Sequence, residues 1–259
     1  MSNYCRNIEK GDSSIGSARR YSLCRSLIRQ INSCKHCPYP SLLSYRKDQK
    51  ATKSQTRRQP SEAIYSPIFF NTNGKENLPE PDKKAVESWV YPTNFPVREY
   101  QFSIVQTALQ HNTLVCLPTG LGKTLISAVV MHNFQRWFPT GQVVFLAPTK
   151  PLVSQQVEAC HKVTGLSLSE VSEMTGQISA SRRSLEWTRK RIFFVTPQVL
   201  VNDLKSGRCD GTRIVCVVFD EAHKAQGNHA YCKAIKRIAS KTCRFRVVGL
   251  SATPGSAGN

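Results

Sequence analysis

The sequence predicts an α/β domain built on a doubly wound, mostly parallel sheet, and three observations carry that prediction. From residue 91 onward, short apolar runs alternate with longer amphipathic stretches, the trace that parallel strands and their crossover helices leave in a sequence. The apolar content rises from 30 of the first 90 residues to 73 of the remaining 169, the level that a packed core requires. The length of 259 residues suits one full α/β domain with an additional segment better than two large domains.

The first segment, residues 1–90, is rich in Ser, Arg, Asn and Pro, has no sustained period and contains the loop-like run Ser54-Gln55-Thr56-Arg57-Arg58-Gln59-Pro60. It reads as a largely disordered basic amino-terminal region. Its early acids, Glu9 and Asp12, argue against a transit peptide, and no apolar stretch follows them to make a secretory signal. No run of 18 apolar residues occurs anywhere, so no membrane-spanning helix is expected.

The second segment, residues 91–259, should hold the folded domain. Its candidate strands are Leu114 to Leu117, Val143 to Ala147, Ile192 to Val195, Ile214 to Phe219 and Arg246 to Leu250, with a weaker one near Val171 to Thr175. Helical patterns fit between them, at Lys123 to Trp137, Pro151 to His161, Gln198 to Lys205 and Asn228 to Ser240. The sustained β-α-β-α order points to a RecA-like sheet.

Charge narrows the partners. The chain carries 36 Lys and Arg against 17 Asp and Glu, a net charge of +19. Residues 1–90 hold 16 basic and 8 acidic side chains and the rest hold 20 and 9, so both parts are basic. That distribution favours a polyanion, nucleic acid ahead of an anionic membrane; solubilising surface charge is the plain alternative. Six of the ten cysteines (Cys116, Cys160, Cys209, Cys216, Cys232 and Cys243) are scattered singly without framework spacing, the usage of reduced thiols in an intracellular protein.

Two motifs carry the chemistry. Leu117-Pro118-Thr119-Gly120-Leu121-Gly122-Lys123-Thr124 follows a buried-strand pattern and opens a helix, the context of a P-loop. Gly120 and Gly122 let backbone N-H groups turn inward around phosphate oxygens, and the helix adds its positive end. Lys123 would reach the β- and γ-phosphates of ATP and the Thr124 hydroxyl would coordinate Mg²⁺. The second motif, Asp220-Glu221-Ala222-His223, lies 97 residues beyond Lys123, at the carboxyl end of the apolar run Ile214 to Phe219, where α/β sheets bind ligands. There Asp220 would hold the Mg²⁺ shell and Glu221 would orient and deprotonate the attacking water. A glycine-rich turn with an ordinary lysine, and an acidic pair capping a helix, are the structural alternatives.

With these residues in place the chain resembles the superfamily 2 helicases over residues 95–256. Arg98-Glu99-Tyr100-Gln101 is similar to their adenine-recognising Q motif and Thr119 to Thr124 to motif I. Ala147 to Leu152 and Thr196-Pro197-Gln198 resemble motifs Ia and Ib, Asp220 to His223 motif II, and Ser251-Ala252-Thr253 motif III. Leu117 departs from the strict P-loop glycine, but the Thr-Gly-x-Gly-Lys-Thr core is the form used by many helicases. Finer wording, in Phe95 to Arg98, Leu117 to Thr124, Ala147 to Val153, Asp220 to Ala225, Gly227-Asn228 and Ala230-Tyr231, resembles the Fanconi anaemia group M family of DNA translocases.

That resemblance implies ATP-driven movement on branched DNA, forks and Holliday-type junctions, in repair within the nucleus. It implies that Arg98 and Gln101 face adenine, that Thr149, Lys150 and Thr196 touch one strand's phosphates, and that His223, Ser251 and Thr253 couple nucleotide state to movement. A solvated helix position for Gln101, a plain turn at Pro148 and Pro151, and simple capping by Ser251 and Thr253 are the competing accounts. The family's second RecA-like domain and its arginine finger are absent from these 259 residues, so ATP binding with slow or no turnover is expected. Repair partners of the family would dock on regions not present.

Weaker signals are a half zinc spacing at Cys34-Lys35-His36-Cys37, with Cys24 and Cys5 as further ligands, and a basic run, Arg182-Arg183 and Arg189-Lys190-Arg191, around Trp187. Free thiols are the alternative for the first. For the second, DNA contact by charge and stacking stands beside a solvated helix face, the favoured reading. Two rival functions remain open: an RNA-directed superfamily 2 ATPase, and a non-hydrolysing, nucleotide-gated DNA-binding scaffold.

Overall fold

The computed structural model describes residues 78–252. Six strands form one sheet: β1 (Thr113–Cys116), β2 (Gln142–Leu146), β3 (Val171–Met174), β4 (Ile192–Val195), β5 (Ile214–Phe219) and β6 (Arg246–Ser251). Its order is β1-β6-β5-β2-β4-β3 and every pairing is parallel. β2, β4 and β5 are buried along their whole length, as apolar runs covered on both faces must be.

Six helices cover the sheet: α1 (Glu99–Gln110), α2 (Lys123–Trp137), α3 (Lys150–Thr164), α4 (Ala180–Arg189), α5 (Pro197–Lys205) and α6 (Ala230–Ala239). Handedness sorts them. From β1 to β2 to β3 the chain steps one way across the sheet, and from β3 through β4 and β5 to β6 it steps back. Right-handed crossovers then put the helices of the outward steps on one face and those of the return on the other. Two apolar layers match this. One joins α1, α2 and α3 through Val105, Ile126, Phe134, Val153 and Cys160; the other joins α4, α5 and α6 through Trp187, Leu200, Tyr231 and Ile238.

Helices α1 and α4 were not singled out by apolar period. α4, Ala-Ser-Arg-Arg-Ser-Leu-Glu-Trp-Thr-Arg, is short in apolar residues and buries only Arg183 and Trp187. Here the structure divides the basic run: Arg182 and Arg189 are exposed, as the solvated-face reading expects, while Arg183 and Trp187 between them are not. Trp187 is 2% exposed, and Arg183 is buried as well. Arg183 donates to both carboxylate oxygens of Asp203 on α5 (2.9 and 3.0 Å), while the Trp187 Nε1 and Arg208 Nε donate to the same carboxylate at 3.0 and 2.8 Å. Arg191 is turned inward too, donating to the carbonyls of Pro139 (2.5 Å) and Gln135 (2.6 Å). Trp187 therefore offers no face for a base to stack on, and Arg183 is not part of a solvated face. The end of the segment expected to be disordered, from Asp82 to Val90, is instead packed on the domain: Asn133 of α2, wholly buried, clasps the N-H and C=O of Val90 at 2.8 and 2.9 Å.

Burial works to raise the Asp203 carboxyl, and the hydrogen bonds from Arg183, Trp187 and Arg208 outweigh it, so its pKa lies below the ordinary value. A depressed carboxyl stabilises the fold above the unfolded pKa, and that stability is lost as pH falls through the lowered value. Asp203→Asn should leave two arginines facing a neutral partner and cost about 3–5 kcal/mol at pH 7. Thermal unfolding checks this: a Tm drop on the order of 10 °C is expected, shrinking in acid.

Candidate functional site

Because all six strands run the same way, their carboxyl ends share one edge, and the motifs collect there. The Leu117 to Thr124 loop leaves β1, Ser251 ends β6, Asp220 follows β5, Ala147 to Lys150 leave β2 and Thr196 follows β4. β6 lies between β1 and β5, with the Leu117 N-H donating to the Ser251 carbonyl at 3.1 Å.

In the loop, Gly120 (φ +83°) and Gly122 (φ +84°) hold left-handed backbone that a side chain would strain. A Cβ at Gly122 would also lie 2.1 Å from Gln101 Nε2 and force that side chain to move. Pro118, Thr119, Gly120 and Leu121 are exposed, and the Lys123 ammonium folds onto the carbonyls of Leu117 (2.8 Å) and Pro118 (3.2 Å). Lysine and glycine backbone thus stand where a polyphosphate could exchange for those carbonyls.

Gln101 corrects the solvated alternative. It is 4% exposed, and its Nε2 donates to the Leu121 carbonyl (3.1 Å) and the Tyr100 hydroxyl (3.3 Å). Tyr100 donates to the same carbonyl at 3.1 Å, and Arg98 donates to Tyr100 at 3.3 Å. The start of α1 is therefore tied directly to the glycine loop. Tyr100, a bridge between Arg98 and the loop, had no signal of its own beyond lying inside the four-residue motif.

The acidic pair is uncomfortable in both charge and backbone. Asp220 is 9% exposed; burial raises its pKa and the charge of Glu221 raises it further, against the Glu221 N-H, Lys123 and Lys224. Glu221 (φ 52°) is the one non-glycine residue with left-handed backbone among the described residues. Such strain persists only where neighbours fix it. Its N-H donates to Asp220 Oδ1 (2.9 Å), its carbonyl accepts from the Lys224 N-H (2.8 Å) and its Oε2 meets His223 Nε2 at 3.1 Å. The other ring nitrogen of His223 lies 3.2 Å from the Ser251 hydroxyl. A chain of contacts, Glu221 to His223 to Ser251, therefore crosses from β5 to β6 and ends beside the β1 loop. Tyr231, buried against Phe219 with its hydroxyl unpartnered, has its pKa pushed far up by burial and then by Asp220 and Glu221.

Thr149 and Lys150 are exposed at the start of α3 and Thr196 is half-buried at the start of α5, each after its own strand. Thr253, and the Cys5, Cys24, Cys34, His36 and Cys37 group, lie outside the described residues. A hard divalent cation suits what is present: the Thr124 hydroxyl and the Asp220 carboxylate are oxygen donors, and a cation would relieve a carboxylate that burial leaves short of counter-charge.

The chain belongs to the family described as Type III restriction enzyme, res subunit, which matches residues 77–256. Within it the resemblance to the Fanconi anaemia group M proteins holds. The chain is 58% identical over 168 residues to the Fanconi anemia group M protein homolog of Mus musculus, covering 65% of this chain and 8% of the relative. It is 52% identical over 177 residues to the ATP-dependent DNA helicase fml1 of Schizosaccharomyces pombe, covering 68% and 21%. The crystal structure of the Pyrococcus furiosus Hef helicase domain is similar with a TM-score of 0.57 and 39% identity, over 62% of this chain and 34% of that one. The chain thus spans less than a quarter of the length of these curated relatives, and the fold is that of RecA-like helicase domains.

Two outcomes follow from the geometry. Gly122→Ala should cost about 2 kcal/mol or more, from left-handed strain and displacement of Gln101, read as a lower unfolding midpoint. Asp220→Asn should raise the Tm of the ligand-free chain at pH 7 by roughly 2–4 °C, the shift that about 1 kcal/mol produces. A carboxyl whose folded pKa is raised destabilises the fold once ionised, so that gain should vanish as pH falls below the ordinary carboxyl pKa.

Proposed function

We propose that residues 91–259 form the ATP-binding lobe of a DNA helicase or translocase that acts on branched DNA, forks and Holliday-type junctions, in nuclear repair, with residues 1–90 as a basic lead-in. One observation supports the motor reading above the others: the glycine loop and the acidic pair share one sheet edge, joined across β6 by the His223 and Ser251 contacts. The names of the relatives, a Fanconi anemia group M protein homolog and an ATP-dependent DNA helicase, support DNA as the substrate.

In this reading the Leu117 to Thr124 loop cradles the phosphates of ATP, and Lys123 exchanges its carbonyl partners for phosphate oxygens. Gln101 and Arg98 face adenine. Thr124 and Asp220 would hold Mg²⁺, which supplies charge neutralisation when bound. Glu221 orients and deprotonates water, with His223 holding its carboxylate, and Ser251 and Thr253 carry nucleotide state toward the DNA. Thr149, Lys150 and Thr196 contact phosphates of one strand, without reading bases. Activating arginines in such motors come from a facing lobe and contribute on the order of a thousandfold in rate, so an ATP-binding lobe by itself binds ATP and turns it over slowly.

Binding of a fluorescent ATP analogue and phosphate release test this together. Lys123→Ala should abolish binding; Glu221→Gln should keep binding and stop turnover; loss of binding in both would overturn the division of roles. In a protein that carries both lobes, forked DNA should stimulate ATPase more than duplex RNA. Equal or greater stimulation by RNA would favour an RNA-directed ATPase. DNA binding that responds to ATP without any turnover would favour the nucleotide-gated scaffold.

A further inference from the structure

Helix α3 carries a polar residue in its buried stripe. Val153 and Cys160 are buried against α2, and Gln156, three residues after the first and four before the second, falls on the same face. Its side chain is not idle. Thr124 Oγ1, in the first turn of α2, donates to Gln156 Oε1 at 3.2 Å across a sequence separation of 32. Val153 and Cys160 are buried about a turn to either side of it on the same helix face, and the helix is tied to β3 through Ser154, which donates to Glu173 at 2.6 Å.

A hydroxyl has one proton and two lone pairs. With its proton committed to Gln156, Thr124 keeps both lone pairs for another partner. Without that acceptor the hydroxyl proton is free to rotate toward another partner, and the lone pairs turn with it. Partners of this kind, one shell out from an ion, fix ligand orientation and typically carry 10–100-fold of metal affinity.

We propose that Gln156 is a positioning residue for Mg²⁺, taking the Thr124 proton so that the hydroxyl oxygen faces the metal; this rests on the ATP-site reading above. Because Gln156 stands on α3 only about 9 Å along the axis from Lys150, the same residue links the metal ligand to the helix end proposed to touch DNA.

The test is a Mg²⁺ titration of fluorescent ATP-analogue binding to the 259-residue chain, alongside binding in EDTA. Gln156→Leu, and Gln156→Asn as a shorter variant without apolar bulk, should raise the Mg²⁺ concentration for half-maximal binding about tenfold and leave binding in EDTA unchanged. Gln156→Glu keeps an acceptor and should restore the parental requirement. An unchanged Mg²⁺ requirement in the Leu and Asn variants overturns the proposal, as does equal weakening with and without Mg²⁺, the signature of a purely structural role. Failure of the parental chain to bind nucleotide under either condition would instead sink the ATP-site reading, and this inference with it.

Discussion

Parallel pairing is the constraint from which the rest follows. A parallel ladder forbids hairpins, so every return passes through a crossover, and right-handedness decides which face that crossover covers. The step from β1 over to β2 leaves room for two strands, and the chain fills it last, with β5 and then β6. Residues far apart in sequence, in the glycine loop, the acidic pair and Ser251, become neighbours because the last strand in the sequence completes the gap between the first and the fifth. Pairing strands so distant in sequence is a high-contact-order arrangement, which slows folding.

Two buried carboxylates show how differently the fold treats structure and chemistry. Asp203, on α5, receives four donated hydrogen bonds and is held below its ordinary pKa. Asp220, 9% exposed, accepts from the backbone N-H of Glu221, and its pKa rises. The first is a closed network. The second retains unmet demand for positive charge, beside a residue whose backbone is itself strained. Evolved sites carry such local costs because the surrounding sheet can sustain them.

Much of this was legible in the residues. β4, β5 and α2 have the bounds their apolar patterns give, because runs such as Ile-Val-Cys-Val-Val-Phe admit one environment only. The glycine loop and acidic pair are readable for the same reason: few other uses exist for those residues at a strand's carboxyl end. Pairwise polar contacts were not legible. Nothing in the composition of α4 says that Arg183 and Trp187 turn inward to Asp203, since a basic run and a buried ion pair look alike in one dimension. Gln101 carried a family expectation, but its contact with Leu121 depends on how α1 lies across the loop. Gln156 was detectable only as a polar intruder in an apolar stripe, a signal too common to act on without its partner.

The clasp of Asn133 on Val90 has a practical reach. Asp82 donates to the Trp137 carbonyl at 2.8 Å, the Trp137 indole donates to Ser88 at 2.9 Å, and Asn133 seals the strap at Val90. A shortened version of the lobe that starts at the first recognisable motif would strip those groups from a fully buried asparagine and tryptophan and open the back of α2 to water. The natural place to begin such a piece is ahead of Asp82, in a stretch with no catalytic wording at all.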